Sequence, residues 1–389
     1  MLSTRLEVNL ALLARNARVL RMRYGARGIR ITAVTKGVCG SPQIARALLR
    51  GGIRSFGDAR LANIVRMREA GIRGEFMLIR PPRPSQADRV VSLADISLNT
   101  ELDVIQRLSW HAEKQGRTHG IILMIELGDL REGIMPERVA ETVEALLAFS
   151  GVRLLGLGTN LACLNGVVPT AAKMRRLSDE VGRIEARLGL CLPIVSGGNS
   201  ANHDWVMSGA DVGRINHLRI GEALLLGKET VNRRPIEGLA GDAFALVGEV
   251  VEAKTKPSRP DGERGQNAFG QVPSVADNGL MRRAIVALGA QDIDPAAIHP
   301  CCRARVIGAC SDELVLIDPD NALVVGSSVR FSIEYSALLR AMTSSYVHKL
   351  YHPPQALQRP KPVKETARLD GAIPPNRRDR VVRGHDQTA

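Results

Sequence analysis

The sequence predicts a (β/α)8 TIM barrel, an α/β fold, followed by a smaller, mostly β C-terminal domain. Between residues 28 and 230, eight short apolar runs recur, as strands buried on both faces do. The segments between them have helical spacing, and several open on Ser, Asp or Thr and close near Gly. Strands and helices alternating in this number argue for a closed parallel barrel. After Gly227 the pattern changes to strands separated by turns, which sets the end of the barrel.

The strand-like runs are IRITAVT (29–35), IRSFG (53–57), EFMLIR (75–80), ADISL (94–98), IILMIEL (121–127), VRLLGLG (152–158), LPIVS (192–196) and INHLRI (215–220). ALLARNARVLRMRYG reads as the helix that enters the barrel. SPQIARALLRGG, DARLANIVRMREAG, TELDVIQRLSWHAEKQG, MPERVAETVEALLAFSG and TAAKMRRLSDEVGRIEARLG read as helices between strands. Between Arg80 and Asp95, PPRPS interrupts the pattern and leaves little room for a full helix. Beyond the barrel, AFALVGEVVEAKT, RRAIVALGA, CRARVIGACSDELVLID and SSVRFSIEYS read as strands, and RLEVNL near the N-terminus belongs with them. The expected organisation is a barrel over 9–230 and a β domain over 231–352, joined by a strand at 1–8. A disordered, basic, Pro- and Arg-rich tail is expected over 353–389.

The chain has 389 residues, enough for one large domain and a smaller one, and its 44% hydrophobic content supports an ordinary core. No apolar run approaches the roughly 20 residues of a membrane helix. The opening MLSTRLEVNLALLARN lacks the h-region of a signal peptide. The six cysteines (Cys39, Cys163, Cys191, Cys301, Cys302, Cys310) form no CxxC pair, so no metal site is expected and a reduced, cytoplasmic setting is. A net charge of +13 suits nucleic acid. Aromatic residues, however, make up only 3% of the chain and no aromatic-rich strand offers a stacking platform, so a solvated arginine-rich surface is expected instead.

In a barrel of this kind the active site lies at the C-terminal ends of the strands. Those ends carry Lys36, Asp58, Arg80, Asn99, Gly128–Arg131, Thr159–Asn160, Ser196–Ser200 and Arg219–Gly221. A lysine that ends a buried strand ordinarily snorkels into solvent. At a barrel mouth its stem is expected to be buried and its ammonium to face a ligand. The loops after strands seven and eight are the usual phosphate site. Here they read SGGNS, whose glycines expose backbone N–H groups and whose serines add hydroxyls, and RIGEALLLGK, with Gly221 opening a turn. An early lysine facing a late phosphate cradle fits a phosphorylated, amine-reactive aldehyde, and pyridoxal 5'-phosphate meets that description.

AVTKGVCG, GDAR, ELGDLREGI, LGTNLAC, SGGNS, INHLRIGEALLLG and EYSALLRAMTSSYV together resemble the alanine-racemase-like, fold-type III pyridoxal-phosphate enzymes. The resemblance is closest to the ornithine racemase branch and runs from Thr4 to Val347. It implies an amino-acid racemase acting on ornithine or another basic amino acid. It also implies a homodimer in which the β domain of one chain covers the barrel mouth of the other. By this resemblance Lys36 forms the Schiff base and acts as the base on one face of the α-carbon. Ser200, Gly221 and Tyr335 fall at phosphate-binding positions, with Ser196, Gly198 and Asn199 in the same cofactor loop. Asn160 replaces a histidine that stacks on the ring. Arg131 reaches the cofactor hydroxyl or the substrate carboxylate, and Arg219 faces the pyridine nitrogen.

Related decarboxylases carry a glutamate, within a Glu-Pro-Gly-Arg motif, where this chain has Arg219. A permanently charged arginine only donates and cannot accept a hydrogen bond from a protonated ring nitrogen, so that nitrogen stays unprotonated and the ring a weak electron sink, which suits racemisation. Two tyrosines of alanine racemases are missing. One belongs to a GY–DG stretch that reads Leu288-Gly289-Ala290-Gln291-Asp292 here, and the other is replaced by Gly40. Cys310, in GACSDE, lies where the partner subunit approaches and is the candidate opposite-face base, with Asp292 nearby. The plainer reading of Cys310 is a small core residue. The alternatives are a decarboxylase, disfavoured by Arg219, and a non-catalytic pyridoxal-phosphate carrier, disfavoured by the β domain.

Overall fold

The computed structural model describes residues 4–353, so nearly all of the tail expected at 353–389 lies outside the described residues. The chain opens with β1 (Arg5–Asn9) and α1 (Leu10–Gly25). Asn9 ends the strand and caps the helix, its side-chain oxygen accepting from the N–H groups of Ala11 and Leu12 at 3.1 Å each. The barrel follows as β2 (Arg30–Val34), α2 (Pro42–Arg50), β3 (Ser55–Asp58), α3 (Leu61–Glu69), β4 (Glu75–Leu78), α4 (Ala87–Leu93), β5 (Ile96–Asn99) and α5 (Leu102–Lys114). It continues as β6 (His119–Met124), α6 (Val139–Leu146), β7 (Val152–Gly158), α7 (Ala171–Leu188), β8 (Ile194–Ser196), α8 (His203–Met207), β9 (His217–Ile220) and α9 (Glu222–Leu226).

Strands β2 to β9 pair in parallel in chain order and close where β9 meets β2, with Ile31 opposite Leu218 and Ala33 opposite Ile220. Each apolar run of the sequence overlaps one of these strands. Four of the runs begin two residues too early, because Ile53, Ala94, Leu192 and Ile215 are buried in the turns that precede their strands. Hydrophobicity reports burial there, not ladder pairing. Alternation divides the strand side chains between two apolar clusters. Met77, Ile96, Leu98, Ile122, Met124 and Ile194 form one inside the barrel, while Phe76, Ile121 and Leu123 belong to the larger core shared with the helices. The PPRPS stretch leaves room only for a 3-10 turn at Pro84–Gln86 and the seven-residue α4.

The second domain contains β10 (Phe244–Pro257), β11 (Leu280–Val286), β12 (Ile298–Pro300), β13 (Arg305–Ala309), β14 (Leu314–Ile317) and β15 (Ser328–Ile333), then α10 (Tyr335–Thr343) and β16 (His348–His352). The strands lie in the order β12-β15-β10-β11-β14-β13, and β1 joins them by pairing antiparallel with β10 and parallel with β16. Helix α10 returns to the barrel: a Cβ placed on Gly37 would lie 3.1 Å from the Tyr335 ring.

Two histidines buried in the barrel set a pH dependence. His119 bonds Ser97 Oγ at 2.8 Å, and burial holds its pKa down at about 4; burial and the nearby Arg219 hold that of His217 at about 3. Unfolded, both titrate near the ordinary ~6.5, so between these values the unfolded chain binds more protons and stability rises with pH. Lowering the pH from 7 to 5 should cost about 2 kcal/mol for each histidine. Denaturant unfolding of His119→Gln should show a pH dependence shallower than wild type by that amount. Equal dependence in the two proteins would rule this contribution out.

Candidate active site

Strand β2 stops at Val34, and the next turn is held from below. Thr35 donates to Asp58 Oδ2 at 2.8 Å, and Asp58 Oδ1 accepts from the Arg60 N–H and from Asn63 Nδ2, both at 2.9 Å. Burial pushes the Asp58 carboxyl pKa up, and these hydrogen bonds work against that rise. Lys36–Val38 then form one 3-10 turn that ends on Cys39 in the left-handed region, φ 52°. This places Lys36 on the wall of a cavity of about 230 Å³ at the barrel mouth. Lys36 is exposed within the single chain, more open than a lysine with a buried stem. Gly40 is also left-handed, and a Cβ there would sit 2.8 Å from the Asn63 carbonyl oxygen, which leaves no space for the tyrosine it replaces.

Of the residues singled out in the sequence, Lys36, Arg131, Asn160 and Asn199 line this cavity, as do Ser200, Arg219, Gly221 and Tyr335. Arg219 is buried at the end of β9 and gives hydrogens to three acceptors. One is Ser196 Oγ; the others are the Thr159 carbonyl at 2.8 Å and Asn160 Oδ1 at 3.3 Å. Burial draws its pKa down to about 10, with the Glu132 carboxylate pulling the other way, so it stays a cation at neutral pH. Ser196 and Gly198, expected among the cofactor-binding residues, do not face the cavity. Ser196 lies against the Arg219 guanidinium, and the Gly198 carbonyl accepts from the Arg219 N–H at 2.9 Å. Gly198 has φ 141°, and a Cβ would come within 2.2 Å of Asn202 Oδ1. Both residues hold Arg219 in place.

Asn199 caps the turn after β8 through Ala201 N–H, and its Nδ2 donates to Asn160 Oδ1 at 3.1 Å and to the Leu161 carbonyl at 2.8 Å. Ser200 Oγ accepts from Ala223 N–H at 3.2 Å and so ties the last two loops together. Tyr335 sits at the first position of α10; burial, aided by the Glu222 charge, pushes its pKa up to about 12, so the phenol is neutral. Arg131 is ion-paired with Glu132, whose carboxyl pKa is raised by burial against the pull of Arg131, Arg219 and Lys36. The buried Asp129 binds this loop to the one after β7: its carboxylate accepts from the N–H groups of Leu164 at 2.9 Å, Cys163 at 3.2 Å, and Asn165 and Val167 at 3.3 Å.

Sequence reasoning missed Glu132, Glu222, Thr230 and Arg233, all on the cavity wall. Glu132 and Glu222 each adjoin a residue that was singled out, so their motifs already contained them. Thr230 and Arg233 carried no signal. Glu222 is buried and ion-paired with Arg233. Cys310 and Asp292 do not line this chain's cavity. The Cys310 thiol lies 3.6 Å from the Glu313 carbonyl, and Asp292 accepts a hydrogen bond from Ser344.

The wall sets four cations (Lys36, Arg131, Arg219, Arg233) against two carboxylates, which favours an anionic ligand. Asn160 Nδ2 and Thr230 Oγ1 are buried without a hydrogen-bond partner. A phosphate-bearing group rich in acceptors fits this set. An alanine racemase N-terminal domain model matches residues 8–229. The chain belongs to the alanine racemase family. Within that family it is 39% identical to a lysine racemase of Thermotoga maritima over 91% of this chain and 99% of that protein. It is 36% identical to an ornithine racemase of Acetoanaerobium sticklandii over 83% of this chain and 92% of that protein. The alanine racemase structure from Streptomyces coelicolor shares the fold at 19% identity, with a TM-score of 0.72 over 90% of this chain and 98% of that one. The alanine racemase of Corynebacterium glutamicum does so with a TM-score of 0.70, at 19% identity over 90% and 100%.

Proposed function

We propose that this family member is a pyridoxal-phosphate-dependent racemase of a basic amino acid, lysine or ornithine, that works as a cytoplasmic homodimer. The observation that carries the reading is Arg219: a buried cation fixed by three acceptors, on the same cavity wall as Lys36. Lys36 holds the cofactor and exchanges the α-proton on one face. Pyridoxal phosphate supplies the electron-withdrawing ring that makes the α-proton removable. Arg219 would present only donors to the cofactor's ring nitrogen and so would favour its unprotonated form, which suits racemisation over decarboxylation. Arg131 receives a carboxylate or the cofactor hydroxyl, and the orphaned Asn160 Nδ2 offers a further donor. Asn199, Ser200, Gly221 and Tyr335 hold the phosphate end.

The two curated relatives named for lysine and ornithine support a substrate with a cationic side chain, as do the half-buried Glu132 and the buried Glu222 in the wall. The exposure of Lys36 supports a cover from a second chain, whose β domain would bring Cys310, or Asp292, to the opposite face of the α-carbon. All six cysteines are free, in keeping with a reduced compartment, and no helix among the described residues is long and apolar enough to cross a membrane.

Borohydride reduction of the purified protein followed by peptide mapping should place the cofactor on one peptide, the one that contains Lys36. Labelling of another lysine, or none, would overturn the assignment. In heavy water the newly formed enantiomer should carry deuterium at the α-carbon. Release of carbon dioxide would indicate the decarboxylase, and cofactor binding with neither reaction the carrier.

A further inference from the structure

A single string of hydrogen bonds leaves Arg219 and crosses the barrel to its opposite end. Arg219 Nη1 donates to Ser196 Oγ, and Ser196 Oγ lies 2.8 Å from His217 Nδ1. On the other side of the imidazole, His217 Nε2 lies 2.8 Å from Thr32 Oγ1. Thr32 Oγ1 is 2.6 Å from Ser55 Oγ, and Ser55 Oγ is 2.9 Å from Glu75 Oε1. The ladder itself aligns these groups. Ser196 is in register with His217, Thr32 with Ser55, and Ser55 with Glu75. His217 and Arg219 are two apart on β9 and therefore share a face.

The two ends fix the direction of every bond. A guanidinium only donates, so Ser196 Oγ accepts from it, and the acceptor within reach of its own hydrogen is His217 Nδ1. With Nδ1 as that acceptor, the ring proton sits on Nε2, where it is given to Thr32. From the far end, the Glu75 carboxylate only accepts, so Ser55 donates to it and accepts from Thr32. Both arguments meet in the same arrangement, in which each hydroxyl accepts once and donates once. Bonds aligned in one direction reinforce one another, which strengthens Ser196 as an acceptor.

We infer that His217 is a positioning residue for Arg219: locked as the neutral Nε2–H tautomer, it takes the Ser196 hydrogen and so keeps Ser196 Oγ turned as an acceptor toward the guanidinium. The consequence for catalysis rests on the racemase reading, in which Arg219 faces the cofactor nitrogen. The tautomer does not rest on it. His217 is buried, with Arg219 and Arg30 as its charged neighbours, and all three facts oppose a second proton on the ring. Glu75, at the other end, is exposed, and it shares with Thr32, Ser55 and His217 a separate cavity of about 410 Å³, so the string ends at solvent. An imidazole carrying its proton on Nδ1 would donate to Ser196 and take away the acceptor that fixes the Ser196 hydrogen.

The experiment has two arms. Nitrogen-15 histidine spectra of the purified protein, with the His217 signal assigned by its loss in His217→Gln, should show a neutral Nε2–H ring unchanged from pH 8 to pH 5. An Nδ1–H ring or an imidazolium in that range would overturn the inference whatever the enzyme's activity. In the second arm, His217→Leu removes the acceptor for Ser196, and His217→Asn restores one near the Nδ1 position. His217→Leu should lower kcat by about 10- to 100-fold with KM little changed, as loss of an orienting partner does, and His217→Asn should recover most of it. Equal losses in the two variants would leave His217 as packing alone. Should neither variant fold, the tautomer in the unaltered protein still decides the point.

Discussion

Lys36→Ala should abolish racemisation, with a loss on the order of 10³-fold or more, because the cofactor anchor and the base on one face vanish together. The fold should survive. The turn that carries Lys36 is held by Thr35, Asp58 and Asn63, none of which uses the lysine side chain. The same variant also tests the shared site. Mixed with Cys310→Ala after subunit exchange, it should regain part of the activity, since one of the two sites in a heterodimer would then carry both wild-type residues. No rescue between folded, exchanging dimers would return Cys310 to its own chain's site. A fully active Cys310→Ala would remove it from the mechanism and leave Asp292 as the next candidate. A Lys36→Ala protein that still racemises at a tenth of the wild-type rate would contradict the role given to the lysine.

Arg219→Glu should lower racemisation by on the order of 10²-fold or more, since it replaces an oriented cation at the reacting group. The structure adds a cost in stability. Arg219 supplies the donors for the Thr159 carbonyl and for one of the bonds to Asn160 Oδ1, and a carboxylate supplies none. Leaving the Thr159 carbonyl buried and unpaired costs about 1–3 kcal/mol. Burial would also favour the protonated glutamic acid, which can share its proton with a ring nitrogen. The ring would then become a stronger electron sink, and a long-lived absorbing species and side reactions should appear on adding substrate. Arg219→Lys, which keeps the charge, should show neither. If Arg219→Glu racemises at the wild-type rate with an unchanged spectrum, Arg219 does not face the ring.

The barrel was legible because its strands are buried on both sides. In β6 all six residues are buried, and such a run has no other easy reading. The strands that escaped notice are short or alternate without an apolar face: β12 has three residues, and β16 reads HKLYH with no buried position. The first domain's site residues were legible for a geometric reason. A closed parallel barrel gathers its strand ends at one mouth, so Lys36, Asn160 and Arg219 meet although 183 positions separate the first from the last. What lay one layer behind was not legible. Nothing in SGGNS says that Ser196 and Gly198 turn toward Arg219, while Asn199 and Ser200 turn toward the cavity. Nor does Asp129 announce that it binds four N–H groups of the next loop, since that pairing depends on the path of a loop more than thirty residues away. Cys310 and Asp292 do not line this chain's cavity, and the role given to them belongs to the proposed dimer.

The account stands or falls on the reaction itself. The purified protein should be incubated separately with each enantiomer of lysine, ornithine and alanine, and the products separated by chiral chromatography. The account predicts that lysine or ornithine of either hand moves toward equal amounts of the two enantiomers, faster than alanine does. Amino acids that all keep their starting configuration, or an amine appearing in place of the opposite enantiomer, would contradict it.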